Sequence, residues 1–210
     1  MPENLVKRFV ECQDPVEEVW KILVEIWKPC SNPNAYFRQE EKASEVELKI
    51  HRIFFEIYDY IYNRIKAFSI PIERPLLIVD GLSIREGNLL VEDFQKNGYE
   101  VVEYGYTLSR LPSVTQRFRN FLNQKYIEIK SGKIPSEVDP SKPVWSTFPD
   151  EILHHAEFVQ PPEAYERTKE VLFKVLDKLG QKDVTIISDH GYIMTDYVWA
   201  LESADRRLLK

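Results

Sequence analysis

Apolar residues recur along this chain in two rhythms, and the change between them near residue 72 divides it. From Asp14-Pro15 to about Lys28, Val16, Val19, Trp20, Leu23, Ile26 and Trp27 return at helical spacing. Asp is a good N-cap and Pro is favoured at the first helical position. Pro29 and the stretch Ser31-Asn32-Pro33-Asn34 break that pattern. A longer helix is predicted from about Gln39 to Phe68, where Val46, Ile50, Ile53, Ile57, Ile61, Ile65 and Phe68 step by three and four to give one apolar face. Such a face suits packing on the domain that follows. It also suits pairing of two copies, so a homo-oligomer through the N-terminal helices is a candidate arrangement.

Beyond Pro71 to Pro75 the rhythm becomes strand, loop, helix. Leu76-Leu77-Ile78-Val79 is a continuous apolar run, as expected of a central parallel strand, and Asp80-Gly81 ends it. A helix is predicted over about 84–96, closed by Asn97-Gly98. Residues 99–104 read as a second strand, Leu111 to Val114 as a loop, and Thr115 as the start of a helix to about Ile129. Four prolines and little periodicity make 131–149 a long loop, a kind of segment that tends to be functional in a compact domain. A helix over 161–179 stops at Gly180, Val184 to Ile187 forms a third buried strand, and a last helix spans about 192–209. Strands alternating with helices predict an α/β fold, a doubly wound, mainly parallel sheet flanked by helices. Residues 1–72 are then a helical attachment packed on the core, and 73–210 the α/β domain.

Composition narrows the classes. The 210 residues suit one domain with an attachment, enough to bury about 70% of the surface exposed on unfolding. A net charge of -6 argues against a general nucleic-acid-coating surface, though not against a local basic groove. No run of about 18 apolar residues occurs, so no membrane span is expected. Met1 to Val10 contains no apolar signal region. Cys12 and Cys30 are too few for a disulfide framework and too far apart for a CxxC site, so a reducing cytoplasm is the simplest location.

Polar groups just after the strands of an open parallel sheet face the crevice where ligands bind. Asp80, and Asp189 with His190, sit there. Thr115 opens a helix beyond the second predicted strand, and Asp150 and His154 follow the long loop. Each has an ordinary explanation. Asp80-Gly81 suits a turn, Thr115 and Asp150 suit N-caps, Asp189 suits a cap on the last helix, and a single histidine is usually packed or solvated. Taken together they form a ligand set for zinc, or for manganese where carboxylates dominate. Asp150 and His154, four apart, share one helix face. Thr115 at a helix N-terminus lies where free N–H groups favour a phosphate or an alkoxide.

The series Leu-Leu-Ile-Val-Asp-Gly (76–81), Leu-Pro-Ser-Val-Thr (111–115), Pro-Asp-x-x-x-His (149–154) and Ile-Ser-Asp-His-Gly (187–191) resembles, in order and spacing, the alkaline-phosphatase superfamily, and within it the PglZ-type domains and type I phosphodiesterases. The resemblance covers about residues 75–191. It implies an alkaline-phosphatase-like fold, a threonine nucleophile at Thr115, one metal held by Asp80, Thr115, Asp189 and His190, and a second held by Asp150 and His154. The family's second metal usually takes a further histidine after the Asp-His-Gly block. Here no histidine follows Gly191, and the chain's others are His51 and His155. Arg110, Arg117 and Arg119 are the basic groups near Thr115, as solvated helix surface or as a phosphate clamp.

The expected activity is metal-dependent phosphoester hydrolysis, by a phosphodiesterase or phosphatase, with nucleotide or nucleic acid among the candidate substrates. The alternative is a catalytically reduced PglZ-like binding module in a defence or signalling system. A plain flavodoxin-like nucleotide binder lacks support, because no GxGxxG or Walker sequence follows a strand.

Overall fold

The central strand decides the rest of the architecture. In the computed structural model, which describes residues 5–28, 33–66, 75–109, 114–155, 161–180 and 183–191, Leu76–Val79 forms β1 with all four side chains buried. Two further strands flank it, β3 (Val144–Ser146) and β4 (Thr185–Ser188), and β2 (Ile127–Ile129) lies outside β3. The order is β2-β3-β1-β4, and every pair is parallel. The protein is therefore α/β, with a four-stranded parallel sheet flanked by helices.

Alternate residues of β1 feed two cores. Leu77 and Val79 pack with Leu90 of α5 (Ile84–Lys96) and with Val171, Leu172, Val175 and Leu179 of α8 (Pro161–Leu179). Leu76 and Ile78 pack with Trp145 of β3, with Leu122, Phe118 and Phe121 of α6 (Thr115–Leu122), and with Tyr126. Each such aliphatic side chain contributes roughly 1.5–3 kcal/mol by leaving water. A strand covered on both faces has no polar side, which is why its sequence reads as an unbroken apolar run.

Before the sheet come α1 (Leu5–Glu11), α2 (Pro15–Ile26), α3 (Pro33–Glu56) and α4 (Tyr58–Lys66). Asp14 caps α2, accepting the Val16 and Glu17 amides at 3.0 and 3.3 Å. Pro33, expected as part of a breaker, is instead the first residue of α3, where its missing N–H costs nothing. The single long helix expected over 39–68 is two, divided at Ile57. Val46 and Ile50 pack against Val19 and Ile22 of α2. The helices dock on α5 through hydrogen bonds, an ion pair and a cation–π contact. Asn88 Nδ2 donates to the Trp27 carbonyl at 2.6 Å, Arg85 pairs with Glu40, and the Arg85 guanidinium lies 4.5 Å from the centre of the Trp27 ring.

Three sequence expectations fail beyond α5. Residues 99–104 form no strand, because their aromatics pack sideways. Tyr104 meets Trp20 at 5.1 Å, Tyr99 meets Phe94 and Phe173, and Val102 is left in solvent. The helix from Thr115 ends at Leu122, since Asn123 turns left-handed (φ 43°), a conformation Asn tolerates. The chain after it becomes β2. The loop at 131–149 contains β3. The helix expected over 192–209, Arg110, and the domain boundary at 72/73 lie outside the described residues. No helix among the described residues is long and apolar enough to cross a membrane.

Candidate metal centre

Strand register assembles the site. Val79 pairs with Ser188 on one side and Ser146 on the other, so Asp80 and Asp189 leave the sheet side by side, and α7 (Asp150–His155) starts just beyond β3. Three adjacent strands thus deliver carboxylates at one carboxyl edge, where open parallel sheets bind ligands. Gly81 makes the close approach feasible. Its φ is +74°, its amide donates to Asp189 Oδ1 at 3.2 Å, and a Cβ there would stand 3.0 Å from Asp150 Cβ. The Asp150 amide donates to the Asp80 carbonyl at 3.1 Å. Glu151 anchors the start of α7 by accepting from the Thr147 and Ser131 hydroxyls and from the Ser131 amide at 2.9 Å.

The four residues expected to share one centre converge on one atom. His190 Nε2 lies 3.0 Å from Thr115 Oγ1, 3.3 Å from Asp80 Oδ1 and 3.5 Å from Asp189 Oδ2. Thr115 Oγ1 is also 3.2 Å from Asp80 Oδ1. The ordinary explanation of Thr115 as an N-cap does not hold. Val114 occupies the cap, and Thr115 is the first helical residue, its hydroxyl turned to Asp80 and His190.

Asp150 lies nearer this centre than the split into two sites implied. One ligand atom each from Asp80, Asp150 and His190 all fall within 4.8 Å of one another, and this group could hold a metal ion. His154 reaches Asp150 at 3.3 Å, but its side chain is 68% exposed and outside that group. His51 is exposed on α3, and His155 is the last residue of α7. Of the arginines, Arg117 is exposed, while Arg119 pairs with Glu128 and lies over the Trp145 ring.

The electrostatics favour a cation. Asp189 is 2% exposed and its Oδ2 has no hydrogen-bond partner among the described residues, an orphaned oxygen next to His190. Burial, then the neighbouring Asp80 charge, pushes its carboxyl up to about 6. Burial also raises the Asp80 carboxyl, but hydrogen bonds from His190, Trp145 and Thr115 outweigh it and hold the group below its ordinary value. The hydrogen bond to Asp80 raises the His190 imidazole to about 9, against burial. Three carboxylates therefore face one imidazolium, an arrangement that repels a phosphate and welcomes a divalent cation in place of the proton. Two contributors were missed in the sequence. Trp145 donates to Asp80 Oδ2 at 3.1 Å, but its strand is too short for periodicity to reveal. Ser83 and Glu86 form a capping box at the start of α5, legible as Ser-x-x-Glu.

No protein-family model, no curated protein and no solved structure matches this chain.

Proposed function

We propose that this protein is a metal-dependent phosphoester hydrolase in which Thr115 is the nucleophile, on an alkaline-phosphatase-like, PglZ-type fold. The observation that carries the reading is the meeting of Thr115 Oγ1 with Asp80 Oδ1 and His190 Nε2, at 3.2 and 3.0 Å, on a buried carboxylate cluster. The hydroxyl donates to Asp80 Oδ1, which is an acceptor for its proton. His190 Nδ1–H donates to the Gly191 carbonyl at 2.9 Å, which leaves Nε2 as the ring atom that would face the ion. Transfer of the Thr115 proton to Asp80 frees the oxygen to attack phosphorus. The leaving alcohol departs with a proton, and water then hydrolyses the phosphothreonine. Thr115 at the first position of α6 places the attacked group against the positive end of the helix.

Asp80, Asp150 and His190, with Asp189 beside them, would hold the ion. Zinc fits the mixed carboxylate and imidazole set best, and manganese is the alternative. The ion would supply Lewis-acid stabilisation of charge on the phosphoryl oxygens. The arrangement supports one principal ion rather than two, because Asp150 belongs with Asp80 and His190 while His154 points to solvent.

The test uses chelator-stripped protein, reloaded with zinc or manganese and assayed on p-nitrophenyl phosphate and its bis-ester. Turnover is expected with metal, and Thr115→Ala is expected to abolish it while metal binding and melting temperature stay close to wild type, since Thr115 does not cap its helix. Full activity in Thr115→Ala removes the nucleophile assignment. The exposure of His154, which stands outside the group of Asp80, Asp150 and His190, favours a second reading, a catalytically reduced binding module. Failure of the well-folded protein to bind either metal would select it.

A further inference from the structure

The two oxygens of Asp80 have different partners. Oδ1 faces Thr115 and His190, while Oδ2 accepts the indole N–H of Trp145 at 3.1 Å. An indole nitrogen only donates, so the polarity of this bond is fixed. Trp145 is fully buried on β3, next to Ile78 in the register of β1. Its ring is held from several sides. Phe118 lies at 5.8 Å and Tyr126 at 5.4 Å between ring centres, and the Arg119 guanidinium stands 4.7 Å from the ring centre. Arg119 is itself tied to Glu128 at 3.2 Å. A ring packed this way cannot follow a rotating carboxylate, so the carboxylate conforms to the ring.

We infer that Trp145 is the positioning residue of the centre, its indole N–H fixing the rotation of Asp80 so that Oδ1 is committed to the ion and to Thr115. The consequence for the ion rests on the metal-site reading above; the link between indole and carboxylate does not. Partners of this kind orient metal ligands, and their loss typically weakens metal binding about 10–100-fold.

Two measurements on the full chain separate the claims. The protein has four tryptophans, so ¹⁵N labelling gives four indole resonances, and Trp145→Phe assigns one by deletion. In Asp80→Asn, with the tryptophan intact, that resonance is expected to move upfield as the charged acceptor is lost, while that of Trp20, assigned in the same way, holds still. An unmoved Trp145 resonance overturns the proposal. In the second measurement, competition with a chromophoric chelator gives the zinc dissociation constant. Trp145→Phe is expected to raise it about 10–100-fold, and Trp20→Phe, a ring remote from the centre that packs on Tyr104 and Tyr106, to leave it unchanged. A folded Trp145→Phe with wild-type zinc affinity also overturns the proposal. If that variant does not fold, the Asp80→Asn shift decides. If wild-type protein binds no zinc, the metal reading fails, and the same shift still tests whether the indole holds Asp80.

Discussion

The Asp80 carboxylate touches groups from three distant parts of the chain: Trp145, Thr115 and His190. Its neighbours differ in how directly they serve an ion, and the two candidate histidines differ most. His190 is part of the close group with Asp80 and Asp150, and its Nδ1 is fixed by a carbonyl. His154 is mostly in solvent and meets Asp150. In a one-ion centre, His190→Ala is expected to weaken zinc binding by about 100-fold or more, as loss of one of three or four ligands does, while His154→Ala changes it little. Calorimetric titration of chelator-stripped variants checks this. Equal losses in both variants would restore the two-ion arrangement implied by the resemblance.

Among the elements, α5 and α8 have the clearest electrostatic joint. Tyr165 donates to Asp93 Oδ2 at 2.6 Å, and Lys169 Nζ stands 3.1 Å from the same oxygen. Burial raises the Asp93 carboxyl, but these two partners outweigh it, and the group is held below its ordinary value of 3.8. A carboxyl with a depressed native pKa contributes stability that is complete above its unfolded value and is lost as pH falls through the folded one. Asp93→Asn is therefore expected to cost roughly 1 kcal/mol at pH 7, the scale of a partly exposed charged hydrogen bond. As pH falls below the ordinary carboxylate value of 3.8 and through the lowered folded one, the difference from wild type should shrink toward zero. Urea titrations at pH 7 and pH 3 measure it, and a constant difference would show that the cost is packing rather than charge.

Across the whole molecule, the N-terminal helices hold to the α/β core through α5, the helix that follows Asp80-Gly81. The side chains of Arg85 and Glu40 are 6% and 13% exposed, so their ion pair is largely out of water. Removing one partner leaves the other charge buried, which costs about 3–5 kcal/mol where nothing else compensates. Arg85 also lies over Trp27 and donates to Ser83 Oγ at 3.2 Å, so Glu40→Ala is expected to cost nearer 3 kcal/mol, read as a fall in melting temperature. A change under about 0.5 kcal/mol would mean that the docking rests on Trp27 and Asn88 instead.

Local signals in the sequence determined the elements whose stability is local. The bounds of α5 and α8 follow from caps, glycine stops and helical periodicity, and β1 from its unbroken apolar run. Placement of Asp80, Asp189 and His190 at strand ends was legible for the same reason, since a short buried strand announces where it stops. Only tertiary structure decided the rest. A three-residue strand such as β2 or β3 carries too few positions to show a period, and pairing with its neighbours alone makes it a strand. Residues 99–104 have strand-like composition, yet their aromatics pack on the rings of Trp20, Phe94 and Phe173 instead of joining the sheet. Asp150 joined the first centre because Gly81 lets the start of α7 come within contact of β1. The bond from Trp145 to Asp80 spans 65 positions, a distance no sequence periodicity measures, and it exists because parallel register sets β3 beside β1.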